Sequence, residues 1–283
     1  MSASTVCELV EADYDPPVQL AVPVGSEIDS QIATAKRYPR DLKRFRENAI
    51  AMVSSDKQLA AECSYSVPRG GKKVSGESIR FAEVVQSCYG NCRVASRIID
   101  IDSRFVTAQG AFMDLENNVA ITFDVKRQIT DKDGNLYSES TIQTTCVAAG
   151  AIAMRSATLR GIPEPLWKPI YEAAQKAARC SDAELPAARE RCVEYFQSKG
   201  VELPAILASV GAATIADIDA GKLDTLRGFA NSIREGMATV DEIFSATTTP
   251  ASSKAKRSTL NDDWPSPAEL AADEERLMRE GTK

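Results

Sequence analysis

The sequence predicts an α+β fold: an antiparallel sheet of three to four strands with helices packed on it, and a small helical domain at its C-terminal side. Three observations predict this. Segments 92–101, 104–114 and 118–130 alternate apolar and polar side chains with period two. The connectors between them, "DSR" and "LENN", are too short for anything but consecutive antiparallel hairpins. Helical patterns punctuated by Pro and Gly flank the strands on both sides.

Taken in order, "MSASTVCELVEADYDPPVQLAVPVG" is acidic and Pro-interrupted, with no lasting periodicity, and reads as a flexible arm over 1–26. From Glu27 two helical stretches follow, separated at Tyr38-Pro39 because Pro suits a first helical position and restrains its predecessor. In the second, Leu42, Phe45, Ala49, Met52 and Val53 form an apolar stripe, and Arg40, Lys43, Arg44 and Arg46 fall off it as surface charge. "SYSVPRGGKKVSGES" reads as a turn-rich connection, with Ser75 or Ser78 capping the helix "ESIRFAEVVQSCY" that Gly90-Asn91 stops.

The strands come next, and the last pair has a testable register. Closing "LENN" as a four-residue loop sets Asp114 opposite Val119, Phe112 opposite Ile121, Gly110 opposite Phe123 and Ala108 opposite Val125. These residues make one apolar face; Thr107, Gln109, Ala111, Thr122, Asp124 and Lys126 make a polar one, open to solvent or a ligand. "DKDG" is a further turn, after which Leu136 and Tyr137 briefly extend the third strand's hairpin. "ESTIQTTCVAAGAIAMRSATLRGIP" is rich in small residues, which lets a helix approach a sheet closely, and Pro163 ends it. A second helix, "EPLWKPIYEAAQKAARC", completes a core spanning 27–180. Short helices with Gly stops fill 181–245, and 246–283 has the composition of a disordered linker with an acidic tail.

Composition excludes several functions. There is no histidine, so Ser-His and Cys-His dyads and an imidazole base are ruled out. Seven scattered cysteines without a CxxC favour reduced, mostly buried thiols over a zinc site. No stretch of 18 apolar residues and no secretory signal is present, which predicts a soluble cytoplasmic protein without membrane contact. The net charge of −6 hides a segregation. Residues 36–180 carry 22 Lys and Arg against 16 Asp and Glu, whereas both flanks are acidic. A basic middle points to a polyanionic partner, and acidic ends to a competitor for the same surface or a protein recruiter.

Three motifs carry candidate chemistry. Asp114, Asp124, Lys126 and Glu83 superficially match the carboxylates of a metal-dependent nuclease. The register, however, sets Asp124 opposite Gln109, about 17 Å along the strand from Asp114. "DKDGN" lacks a Glu at the twelfth position of a calcium loop, and "PRGGKKVSGES" lacks the order of a P-loop, so no cofactor is assigned. What remains is that glycine-rich basic stretch. Gly70, Gly71 and Gly76 would let N–H groups face outward beside Arg69, Lys72 and Lys73, ahead of a helix N-terminus, with Arg80 one turn in: a phosphate-binding combination. If "DSR" closes a three-residue loop, Arg93 and Arg97 share the polar face with Lys126, and a basic sheet face beside a basic loop would track a sugar-phosphate backbone.

"GKKVSGESIRFAEVVQSCYGN", the strands through "DLENNVAITFDVKR" and the small-residue helix "TTCVAAGAIAMRSATLRGIP" together resemble phage-encoded single-strand annealing proteins, the broad RecT, Red beta and Erf grouping, over about residues 30–245. The resemblance implies a β-β-β-α core that binds single-stranded DNA, assembles into rings or helical filaments and pairs complementary strands without ATP or catalysis. It also implies a bacterial host cytoplasm, with a host single-strand-binding protein and a phage exonuclease as protein partners. Charge and expected facing, not the resemblance, nominate Arg69, Lys72, Lys73, Arg80, Arg93, Arg97, Lys126, Arg127 and Arg155 as nucleic-acid contacts. No catalytic residue and no metal ligand is nominated. One departure is that these basic positions are not interleaved with aromatics, which weakens base stacking. The competing readings are a metal-dependent nuclease of a phage recombination module and an adaptor that binds only proteins.

Overall fold

The computed structural model describes residues 25–69, 72–131 and 133–244; residues 1–24 of the arm expected over 1–26, and the linker and tail expected over 246–283, lie outside the described residues. The last two residues of that expected arm are helical. Helix α1 (Gly25–Arg37) and α2 (Leu42–Ser55) are separated at Tyr38-Pro39, and Asp41 caps α2 by accepting the N–H groups of Lys43 and Arg44. Phe45, Ala49 and Val53 of the expected stripe are buried, but Leu42 and Met52 at its margins stay 46% and 41% exposed. Asp56 caps a short α3 (Lys57–Glu62) that the sequence pattern did not single out.

The stretch expected as a loop is instead a hairpin, β1 (Ser64–Arg69) with β2 (Lys72–Glu77), in the register Ser64↔Glu77 to Arg69↔Lys72. A two-stranded ribbon is marginal alone. Here it is held by the C-terminal helices: Asn231 Nδ2 donates to Ala61 O and Ser64 O, and Ser232 Oγ donates to Ser66 O. Helix α4 (Ile79–Tyr89) follows, with Ser78 at its N-cap.

β3 (Cys92–Ile101), β4 (Phe105–Asp114) and β5 (Val119–Gln128) form the antiparallel sheet in the order β3-β4-β5. The β4–β5 register is the expected one throughout, from Asp114↔Val119 to Ala108↔Val125. Between β3 and β4, Arg93↔Met113 and Arg97↔Gln109 follow the pairing a three-residue "DSR" loop requires, but a bulge between Ile98 and Asp100 shifts the last pairs to Asp100↔Thr107 and Ile101↔Val106. Thr130 bridges Leu136, the expected brief extension.

Helix α5 (Glu139–Gly161) lies across one face of the sheet, which completes a β-β-β-α order. Its small residues permit close approach: a Cβ on Gly110 would stand 2.1 Å from Ala153 O. Val106, Ala108, Ile129, Ala149 and Ala153 fill this contact, while Phe45, Phe81, Tyr89, Phe112, Trp167 and Ile170 build the main core with α2, α4 and α6 (Glu164–Ala178). The remaining helices are α7 (Leu185–Ser198), α8 (Leu203–Ser209), α9 (Ala220–Arg234) and α10 (Val240–Phe244), plus a 3₁₀ turn at Ile215–Asp217. Their core, around Phe196, Leu223, Leu226, Phe229 and Phe244, includes Val67 of β1, so the 181–245 segment shares its interior with the hairpin. The fold is thus α+β with antiparallel sheets, and no helix among the described residues is long and apolar enough to cross a membrane.

Candidate nucleic-acid interface

Strand alternation decides which side chains reach solvent. In β4, Val106, Ala108, Gly110, Phe112 and Asp114 turn inward and are buried, so Thr107, Gln109, Ala111 and Met113 turn outward. Their partners across both ladders place Arg93, Ala95, Arg97 and, past the bulge, Asp100 of β3, and Ala120, Thr122, Asp124 and Lys126 of β5, on that same outer face. Of these only Arg93 is partly covered among the charged groups; Arg97, Asp100, Asp124 and Lys126 are exposed. The strands are ten residues each, giving a platform about 34 Å long.

The face is polar, and its charges are cross-linked. Arg97 Nη2 donates to Gln109 Oε1 at 3.0 Å, and Gln109 Nε2 donates to Asp124 Oδ1 at 3.1 Å. Lys126 Nζ lies 3.2 Å from Asp102 Oδ2 and 4.7 Å from the Phe105 ring centroid. The backbone N–H of Arg104, with those of Phe105 and the Lys126 ammonium, holds the Asp102 carboxyl below its ordinary value. Arg93 Nη1 donates to Gln31 of α1 at 2.6 Å, which brings that helix to the rim of the face. The exposed pairs of Arg97 and Lys126 are weak and salt-screened, so these two cations can exchange their partners for a phosphate.

Several nominated residues stand elsewhere. Arg127 pairs with Val106 and therefore lies on the inner side, where it donates to Gly236 O and Met237 O. Arg155, on the flank of α5 away from the sheet, lies 4.9 Å from the Tyr65 ring centroid and donates toward Met237 Sδ. Both arginines hold α9's C-terminal turn and the hairpin against the core. Arg80 is bound to Glu83 at 2.7 Å beside a cleft lined by Glu62, Arg234 and Glu235, a setting with no cationic excess.

The glycine-rich stretch is not a phosphate cradle behind a helix. β2 carries Lys72 six residues from Ser78, about 20 Å from the start of α4. That helix start is already satisfied: Phe81 N–H donates to Ser78 Oγ and Ile79 N–H to Glu235. Nor does the hairpin adjoin the sheet, since α5 packs on the sheet through Ala153 and meets Tyr65 of β1 through Arg155 on its other side. Arg69 and Lys72 are exposed at the hairpin end; Lys73 Nζ donates to Thr225 Oγ1 on α9 at 2.8 Å. The basic loop and the basic sheet face are therefore two separate patches, not one surface.

The nuclease constellation fails on geometry. Asp114 is on the inner face and Asp124 on the outer one, so the sheet itself separates them. Asp114 is instead buried in an ion pair with Arg40, at 2.7 Å. Burial pushes its carboxyl up, but the hydrogen bonds from Arg40, Asn117 and the Glu116 N–H outweigh that and hold it well below the usual carboxylate range. No group of three Cys, Asp or Glu among the described residues is arranged to hold a metal ion.

One cationic region escaped the sequence reading. Lys36, Arg37, Lys43, Arg44 and Arg46 are all exposed around the α1–α2 corner, and the Tyr38 ring among them is 64% exposed. The signal was present in "KRYPRDLKRFR", but Arg40, Lys43, Arg44 and Arg46 fall off the apolar stripe of the second helix and so read as ordinary surface charge. Comparison with protein-family models, with curated proteins and with solved structures gives no match.

Proposed function

We propose that this protein binds single-stranded DNA through its sugar-phosphate backbone and anneals complementary strands without ATP, as an oligomeric ring or filament in phage recombination. The observation that carries the binding half is the outer sheet face, which α1 borders at Arg93 and across which no described helix packs. Ten-residue strands present Arg93, Arg97 and Lys126 in one plane, with Thr107, Gln109 and Thr122 as neutral hydrogen-bonding groups between them. An extended single strand fits a flat polar sheet, and contacts of this kind hold the backbone without reading bases. The basic hairpin end, Arg69 and Lys72, provides a second patch for a neighbouring strand or subunit. The sequence resemblance supports annealing, self-assembly, the bacterial cytoplasm and the single-strand-binding protein and exonuclease as partners.

The reading is tested by mixing the protein with complementary labelled oligonucleotides, without nucleotide or metal, and following duplex formation. Faster pairing with strands of unchanged length supports it. No DNA complex at low salt, with a retained protein partner, would favour the adaptor; shortened strands in added Mg²⁺ would favour a nuclease.

A further inference from the structure

The α1–α2 corner combines three features that a solvated surface turn does not need together. The first is charge. Lys36, Arg37, Lys43, Arg44 and Arg46 are exposed within eleven residues. The two carboxylates beside them, Asp41 as the N-cap of α2 and Glu47 at 3.9 Å from Lys43, are outnumbered by these five cations and leave a positive excess. The second is an aromatic plane. Tyr38 stands 64% exposed, with the Arg37 guanidinium 5.5 Å from its ring centroid.

The third is rigidity. Tyr38 N–H donates to Thr34 O, and Tyr38 O accepts from Asn91 Nδ2 at 2.8 Å. Two residues on, the Arg40 guanidinium is buried against Asp114, Gly90 O and Asn91 O, which fastens the corner to the start of β3. The backbone of Tyr38 is therefore fixed on both sides while its ring is left in solvent. Arg93, two residues beyond Asn91, begins the outer sheet face and bonds α1 through Gln31, so the corner borders that face.

We infer that this corner is a further contact for single-stranded nucleic acid, in which Tyr38 stacks on a base and Lys36, Arg37 and Arg44 take the flanking phosphates. The inference rests on the proposed DNA-binding function and adds a more exposed aromatic plane among cations to that of Phe105, whose ring lies 4.7 Å from Lys126 and 5.5 Å from Arg104 at the end of the sheet face. With its backbone already fixed, Tyr38 has only side-chain rotation to lose on binding, and stacking on its ring tolerates any base.

The test measures affinity of the full chain for a labelled thymidine oligonucleotide and for an abasic strand of the same length. Tyr38→Ala is expected to weaken thymidine binding about tenfold and leave the abasic strand unchanged, with Tyr38→Phe close to wild type. Lys36→Glu with Arg37→Glu should weaken both strands. An unaltered melting temperature checks that these exposed changes leave the fold intact. If wild type binds and Arg97→Glu weakens it, yet Tyr38→Ala binds both strands like wild type, the corner is not a stacking site although the function stands. If wild type binds neither strand, the function and the corner fall together.

Discussion

Arg40 and Asp114, 74 positions apart in sequence, meet in a buried bidentate pair with Nη1–Oδ2 at 2.7 Å and Nη2–Oδ1 at 2.9 Å. The guanidinium also lies 3.7 Å from the Tyr89 ring centroid and donates to Tyr89 Oη, so one side chain ties α1–α2, the end of α4 and the β4–β5 turn together. Its Nε stands 3.3 Å from Glu116 Oε1 but is not aligned for a hydrogen bond. Removing Arg40 leaves the buried Asp114 carboxylate without its counter-charge, and removing Asp114 leaves the buried guanidinium with only the misaligned Glu116 as counter-charge. Arg40→Met and Asp114→Asn are each expected to cost about 3–5 kcal/mol, and the double variant less than their sum. Urea unfolding of the three variants measures both quantities.

The same pair dictates an acid sensitivity. The folded Asp114 carboxyl lies below its unfolded value of about 3.9. Its contribution is therefore fully present above that value and is lost as pH falls through the folded one. Stability measured down the acid limb should fall less steeply in Asp114→Asn than in wild type. An equal slope in both would show that other carboxylates govern the acid limb.

How much of this was legible beforehand depended on where the determining contacts lie. The β4–β5 register was readable because a four-residue loop and a period-two pattern are local. The β1–β2 hairpin was not: Val67 and Val74 are its only large aliphatic residues, Pro68 interrupts it, and its stability comes from α9, some 150 residues later. Arg40 read as solvent-facing for the same reason, since nothing near it in sequence announces Asp114. Arg127 was nominated by charge although the alternation that placed Lys126 outward places its neighbour inward.

Close helix-on-sheet packing makes Gly110 intolerant. A methyl group there would meet Ala153 O at 2.1 Å, a backbone atom that cannot swing aside. Gly110→Ala should lower stability by about 1–3 kcal/mol or more and disturb the outer face indirectly. Thermal unfolding reads the loss; an unchanged midpoint would mean that α5 can lift from the sheet freely.

Two of the thiols, Cys63 and Cys192, are expected to be inert in the folded state. Burial pushes Cys63 up to about 12 and Cys192 up to about 11, leaving almost no thiolate near pH 8. Alkylation by iodoacetamide, followed by peptide mass spectrometry, should modify both only when denaturant is added. Prompt labelling in native buffer would place them nearer solvent than the fold does.

The account turns on whether polynucleotide lies across the outer sheet face, and the salt dependence of single-strand affinity in charge-reversed variants tests this most directly. Arg97→Glu with Lys126→Glu should weaken binding at every salt concentration and flatten the logarithmic salt slope by about 2, whereas Arg80→Glu, beside Glu83, should leave both nearly unchanged. Equal affinities and slopes in wild type and the Arg97, Lys126 double variant would contradict the account.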